Sequence, residues 1–395
     1  MQYRNDRSGN PISILGYGCM RFSRRGTDID VAKAEQEIRK AIELGVTYFD
    51  TAYLYPGSEE TLGKVLERNA CRDQVLIATK LPQYLVRKQS AFDRYFDEEL
   101  RRLRTDYVDY YLMHMFTDVQ QWKKLQTLGI EDWIERKKAT GEIRNIGFSF
   151  HGSSELFIQI LEAYDWDFCQ IQYNYVDEHT QAGVQGLRAA AERGIPVVIM
   201  EPLRGGKLVD GLPQQAREAF LQSKRAWSPA EWALRWLWNQ PEVTCVLSGM
   251  NSLDMVEENC RVASEAQVGD LGDDDFVVLE RVKEAIHQSV RVGCTGCGYC
   301  MPCPQGVDIP ALFRCYNHMY TEGKREGRSE YWQTVSLREK PAFARQCVQC
   351  GACEKRCPQG IAIREQIHIA DRELRPLPWR IAGDVSRLWA VASSA

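Results

Sequence analysis

Residues 31–57 read VAKAEQEIRKAIELGVTYFDTAYLYPG. Apolar residues recur at helical spacing through Leu44, and Gly45 is placed as the helix's C-terminal stop. The run TYFDTA (47–52) follows, short and nearly continuous in its apolar residues. That is the pattern of a strand buried on both faces. A helix that returns to such a strand is the repeating unit of a layered α/β fold.

The same unit recurs in both directions from this stretch. Strand candidates are ISILGYG (12–18), TYFDTA, VLIATK (75–80), YVDYYLMH (107–114), RNIGFSF (144–150), FCQIQYN (168–174), PVVIME (196–201) and TCVLSG (244–249). Helix-periodic sequence separates them. In SPAEWALRWLW (228–238), Ser228 reads as N-cap, Pro229 as first helical residue and Glu231 as the partner that completes a capping box. Eight such units predict a (β/α)8 TIM barrel, whose reactive residues sit at the C-terminal ends of the strands. An open doubly wound sheet is the alternative that the pattern leaves open.

Bulk composition narrows the function. The 395 residues carry a formal net charge of −4 with mixed signs, which gives no electrostatic reason to expect nucleic acid or a membrane surface. The start, MQYRNDRSGNP, is polar, and no stretch approaches the ~20 apolar residues that span a bilayer. The expectation is a cytoplasmic protein. The loops 83–92, 115–128 and 203–227 carry no diagnostic chemistry, and Trp122, Trp133 and Trp227 read as packing residues.

After Asn259 the character of the chain changes. Nine of the fourteen cysteines fall between Cys294 and Cys357. The first run is Cys294-Thr-Gly-Cys297-Gly-Tyr-Cys300-Met-Pro-Cys303-Pro304, and the second is Cys347-Val-Gln-Cys350-Gly-Ala-Cys353-Glu-Lys-Arg-Cys357-Pro358. Two-residue spacers let three successive thiolates wrap one face of an iron–sulfur cubane. In two-cluster ferredoxins the cysteine before proline serves the other cluster. The spacing therefore predicts two 4Fe-4S clusters, one on Cys294, Cys297, Cys300 and Cys357, the other on Cys347, Cys350, Cys353 and Cys303. The first run has two residues before its final cysteine where three are usual, which leaves open a distorted ligand geometry or Cys315 as a substitute ligand; Cys303, which keeps its proline, is the expected ligand. Structural zinc is the competing reading, but it has no use for three consecutive two-residue spacings followed by Cys-Pro. The expected organisation is a barrel over 1–265, a linker and helix over 266–290, a small, mainly helical two-cluster ferredoxin-like domain over 291–365, and a tail over 366–395.

Polar residues at the strand ends call for a role other than packing. Asp50 closes the second strand, Tyr55 follows it, Lys80 ends the third and His114 ends the fourth. On a barrel these positions converge on one rim.

Here the sequence resembles the aldo-keto reductases. The resemblance runs from Leu15-Gly16-Tyr17-Gly18-Cys19-Met20 through Phe49-Asp50-Thr51-Ala52, Tyr55, Gly57-Ser58-Glu59, Ala78-Thr79-Lys80 and Asp109 to His114. It continues in Ile146-Gly147-Phe148-Ser149 and Gln170-Ile171-Gln172, and ends at Val256-Glu257-Glu258-Asn259. The whole chain looks like the branch of that family with a C-terminal two-cluster iron–sulfur domain. The resemblance implies a catalytic set of Asp50, Tyr55, Lys80 and His114. Tyr55 would be the proton donor, with its acidity raised by Lys80; Asp50 would hold Lys80; and His114 would orient a carbonyl. It implies NAD(P) contacts at Met20, Ser149, Gln170, Met200, Leu203, Gly205, Lys207 and Asn259. The loop Arg204-Gly205-Gly206-Lys207 would offer amides and a cation to a pyrophosphate, or else be a solvated loop. Phe150, Met200, Gly249 and Met255 depart from the family pattern, which leaves NAD, NADP or a flavin in the same mouth open.

The expected function is an iron–sulfur oxidoreductase acting on a small-molecule carbonyl or alcohol, with electrons exchanged through the clusters and a ferredoxin- or flavodoxin-type carrier. A nicotinamide-dependent reductase with structural or docking clusters is the second reading, and a non-catalytic electron-transfer or sensor protein on an inactive barrel the third.

Overall fold

A computed structural model describes residues 1–376, except 289, 295, 297, 339 and 358. Eight parallel strands close into a barrel: Leu15–Gly18, Tyr48–Asp50, Leu76–Leu81, Val108–Phe116, Ile143–Phe150, Phe168–Gln172, Val197–Met200 and Val243–Ser248. The eighth pairs back onto the first, with Val246 opposite Leu15 and Ser248 opposite Tyr17. That closure excludes the open sheet. The fourth strand shows why the strands read as continuous apolar runs, since all its residues but Met115 are buried. Side chains turned inward, among them Tyr48, Tyr110, Phe168, Val198 and Cys245, fill the barrel. Those turned outward pack on the helices, where Trp122 and Trp133 are buried and Trp227 packs edge-on against Trp232.

Three sequence expectations are corrected. ISILGYG is two elements: Pro11–Ser13 pairs antiparallel with Tyr3–Asn5, and only Leu15–Gly18 enters the barrel. The chain changes partner at Ile14, whose amide donates to Gln2 O at 3.0 Å. Ser228 Oγ accepts the Glu231 amide at 3.1 Å as expected of an N-cap. Glu231, however, completes no capping box, because Arg235 at 2.8 Å and Arg261 at 2.8 Å take its carboxylate. The loop 115–128 contains a helix, Val119–Thr127, capped by Asp118.

The helix Asp273–Gln288 buries Leu279, Val282, Ala285 and Ile286 in the barrel's outer core. A second core begins at Val292 and runs through the helices Ile309–Thr321, Lys324–Tyr331 and Ile363–Leu374. The last of these carries the core past residue 365, with Ile367, Ala370 and Leu374 buried. Residues 377–395 of the expected tail lie outside the described residues.

Candidate active site and cluster sites

The C-terminal ends of the second, third and fourth strands bring Asp50, Lys80 and His114 together, and the turn after the second strand adds Tyr55. Lys80 Nζ donates to both Asp50 oxygens at 2.6 Å and to Thr51 O at 2.7 Å. An ammonium has three donors, so all are engaged. The pair is buried, with Lys80 1% and Asp50 3% exposed. Burial raises the Asp50 carboxyl, and the ammonium opposes that rise.

Tyr55 lies beside this pair. Its ring centroid is 5.4 Å from Lys80 Nζ and 6.0 Å from the His114 ring, which meets it edge-on at 82°. The expectation that Lys80 raises the acidity of Tyr55 is opposed by the other surroundings of the phenol. Burial, then Asp50, Glu201 and Cys19, push the phenol well above its ordinary value. The physical reason is that the Lys80 charge is compensated by Asp50 at contact distance, leaving carboxylates and desolvation to dominate. Tyr55 is therefore a neutral phenol.

His114 is neutral as well. Burial holds it far below its ordinary value, and Lys80 and His151 add to this. Its Nδ1 is buried with no partner among the described residues. His114 stands in a bulge: the register with the fifth strand shifts between Met113 and Phe116, and Met115 takes a left-handed φ of 61°. Such bulges re-aim a side chain at the rim of a barrel. Ser149 Oγ accepts the Met115 amide at 2.8 Å and so braces the bulge.

The expected cofactor contacts all fall at this end of the barrel. Met20, 62% exposed, follows the first strand. Gln170, on the sixth strand, buries an Oε1 that has no partner among the described residues, an acceptor that fits a carboxamide N–H. Met200 ends the seventh strand, and Leu203, Gly205 and Lys207 form the loop beyond it. Asn259 Nδ2 donates to Ser248 Oγ at 3.1 Å, tying a helix to the end of the eighth strand.

Arg204 does not offer its cation to that loop. It is bidentate to Asp177, at 2.7 and 2.5 Å, and is therefore consumed. Arg21 takes the place instead. A side chain at Gly205 would collide with its guanidinium, and one at Gly249 would meet its stem at 3.0 Å.

The helical domain packs on the same rim. Arg204 lies 3.8 Å from Glu322, which lies 3.6 Å from His318. Glu330 accepts from Arg314 at 2.6 Å and contacts His318 Nδ1 at 2.5 Å. Although burial raises it, Asp177 is held far below the usual carboxylate range by Arg204. Glu201, at the end of the seventh strand, shows the opposite behaviour. Water reaches its side chain, yet the surrounding walls desolvate it, and Glu330, Glu322 and Asp177 repel its charge, so that it titrates at about 7. That folded value lies above the ~4.3 of a free glutamate. The stability it contributes is therefore complete below the free value and is lost as pH rises through about 7. The melting temperature of the holoprotein is expected to fall between pH 5 and pH 8. Glu201→Gln should flatten that fall, and an unchanged slope would contradict the assignment.

In the second core, Cys300, Cys303, Cys347, Cys350 and Cys353 line one pocket. It encloses about 410 Å³ of space, counted together with its open, solvent-facing side. Among the described residues no three His, Cys, Asp or Glu side chains are gathered closely enough to hold a single metal ion; the cysteines are spread along the pocket wall, a donor set suited to a polynuclear cluster and not to one zinc. Four of these five are the set expected for the second cluster. Cys294 and Cys357 are half-buried against the same core, and Cys297 lies outside the described residues. Cys315 is buried within the helix Ile309–Thr321, its Sγ 3.7 Å from Thr334 Oγ1, and stands apart from this pocket.

Sequence reading missed Asp177, Glu201 and Arg21. Arg21 and Glu201 adjoin singled-out residues, Met20 and Met200, but Asp177 carries no local signal, because its partner is 27 residues away.

Comparison with known proteins agrees with this architecture. Residues 14–272 match the Aldo/keto reductase family, and residues 293–362 match the 4Fe-4S dicluster domain. L-galactose dehydrogenase of Arabidopsis thaliana is 27% identical over 312 residues, which span 72% of this chain and 93% of that protein. L-glyceraldehyde 3-phosphate reductase of Escherichia coli K12 is 25% identical over 308 residues, spanning 66% and 86%. An aldo-keto reductase of Klebsiella pneumoniae solved in complex with NADPH superposes with a TM-score of 0.58 at 24% identity, covering 72% of this chain and 96% of that one. At that identity the likeness is one of fold. Among the described residues no helix is long and apolar enough to cross a membrane.

Proposed function

The chain belongs to the aldo/keto reductase family, and on that premise we propose that it is an iron–sulfur oxidoreductase interconverting a carbonyl and an alcohol at the barrel mouth. The observation that carries the reading is the convergence of a neutral phenol, a neutral imidazole and a compensated ammonium on one rim. A nicotinamide bound at the mouth would supply the hydride. Tyr55 holds the proton that the carbonyl oxygen takes up, and its raised pKa keeps that proton in place until the oxygen becomes basic. His114, neutral, has a ring nitrogen with which to orient the oxygen. Lys80 and Asp50 hold the floor of the site rigid and electrically balanced. Gln170 offers its unpartnered Oε1 to a carboxamide, and Arg21, with Gly205 and Gly249 beneath it, offers a cation to phosphate.

The eight cysteines Cys294, Cys297, Cys300, Cys303, Cys347, Cys350, Cys353 and Cys357 would hold two clusters that exchange electrons with this site. A hydride carries two electrons and each cluster passes one, so direct exchange requires a flavin-type converter at the mouth. The reading with purely docking clusters is favoured by one observation, the ionic contact between Arg204 of the rim and Glu322 of the helical domain.

The test is anaerobic purification followed by iron and sulfide assay, EPR, and extraction of bound nucleotide or flavin. Two clusters with a nicotinamide-dependent carbonyl activity are expected. Colourless or zinc-loaded protein would overturn the cluster assignment. Loaded protein that binds neither nicotinamide nor flavin would overturn the chemistry.

A further inference from the structure

The two cysteine runs have different surroundings. Residues 292–307, which hold the first run, contain no charged side chain. That run lies against the barrel: a side chain at Gly296 would meet Thr180 Cγ2 at 2.5 Å. Thr180 belongs to the loop after the sixth strand, the same loop as Asp177. Just upstream, the Val292 amide and carbonyl are held by the Asn317 side chain at 2.9 and 2.7 Å; among its described residues the first run exposes Tyr299, Pro302 and Pro304 but no cysteine.

The second run faces water. Cys350 and Gln349 are exposed, and Val348 is 63% exposed. Residues 340–364 carry five cations against one carboxylate, in a chain whose net charge is −4. That carboxylate, Glu354, is occupied by Arg364 at 2.7 Å. Lys340, Arg345, Lys355 and Arg356 are exposed and have no carboxylate partner among the described residues, and Arg345 lies over the Phe343 ring at 4.8 Å. These four exposed cations, with Glu339 and Glu365 flanking the segment in sequence, belong to the stretch that also exposes Val348, Gln349 and Cys350.

We infer that the loop Cys347–Cys357 is the electron port of the protein, a docking face for a small acidic one-electron carrier protein, while the first run faces the active site. The inference rests on the reading that both cysteine sets hold clusters. The transfer is a bare electron exchange: the carrier is oxidised by one electron, the cluster is reduced by one, and no bond is made or broken. Two dockings would load two clusters with two electrons, the number that a flavin-type converter at the mouth needs, with two protons, to reduce a carbonyl to an alcohol. Opposite charge on a low-area face suits such a partner, because transient redox contacts are small and depend on steering for their rate.

The holoprotein, loaded and handled anaerobically, is mixed in a stopped-flow cell with a dithionite-reduced acidic ferredoxin, and bleaching of the clusters is followed. The second-order rate is expected to fall about tenfold or more from low to high salt, the span that electrostatic steering contributes. Neutralising Lys340, Arg345, Lys355 and Arg356 together to Gln should cost about as much at low salt and remove the salt dependence. Photoreduction with a deazaflavin, which needs no docking, and the EPR signal of the clusters should be unchanged. Should the fourfold variant lose its clusters, Lys340→Gln with Arg345→Gln, both outside the cysteine loop, is expected to give a smaller loss in the same direction. Native rates in the variants, or faster exchange with a basic cytochrome c than with the acidic ferredoxin, would overturn the docking face. Native protein without iron and sulfide sinks the cluster reading and the port with it; loaded, photoreducible protein that ignores the ferredoxin sinks the port alone.

Discussion

Tyr55→Phe is expected to lower carbonyl turnover about 10²–10⁴-fold, the usual worth of a positioned proton donor. The loss should fall on kcat, since the hydroxyl acts as the oxygen becomes basic and adds little to ground-state binding. Folding should be untouched, because the Tyr55 hydroxyl makes no hydrogen bond among the described residues and the ring keeps its contacts with Lys80 and His114. Steady-state kinetics beside a thermal melt separates the two effects. Unchanged turnover of every substrate accepted by the native protein would mean that the barrel does not use this phenol. Lys80→Met is a poorer probe, because it strands a buried Asp50 carboxylate and mixes a catalytic loss with a structural one.

The second large effect is structural. Asp177→Ala is expected to destabilise the protein by about 3–5 kcal/mol, the range measured when one partner of a buried ion pair is removed. Asp177 is 2% exposed and accepts both Arg204 contacts together with Gln172 Nε2 at 2.9 Å and Asn174 Nδ2 at 3.0 Å. Its removal leaves the Arg204 cation enclosed, with Glu322 at 3.8 Å and the Glu330 charge beyond contact to oppose it. Denaturant unfolding of the anaerobic holoprotein measures the loss, and Asp177→Ala combined with Arg204→Met should recover much of it. A loss below about 1 kcal/mol would show that water screens the pair as at a surface.

The two predictions draw on different kinds of information. Tyr55 was legible in the sequence because its neighbours are local: a strand ending in Asp50, a short turn, then a helix beginning at Ser58. The expected effect of Lys80 on Tyr55 is opposed for a reason that spacing does not show. Residue order places an ammonium near the phenol, but only the fold shows that both Asp50 oxygens and the Thr51 carbonyl occupy all its donors. The docking face divides in the same way. Cations at 340, 345, 355 and 356 can be counted in the chain, whereas their exposure, and the absence of a carboxylate partner among the described residues, are properties of the packed domain.

By itself the sequence determined the eight strands, the placement of the polar residues at their C-terminal ends, and the two cysteine runs. Each of these rests on short-range geometry: side-chain alternation, helical period, and the reach of a two-residue spacer around a cluster face. Tertiary structure alone decided the splitting of ISILGYG between a hairpin and the barrel, the capture of Arg204 by Asp177, the move of Arg21 across Gly205 and Gly249, and the seating of Arg314, His318, Glu322 and Glu330 on the rim. Those contacts join residues far apart in the chain, and their energies depend on burial and on the competing charges nearby, neither of which is written in any local stretch of residues.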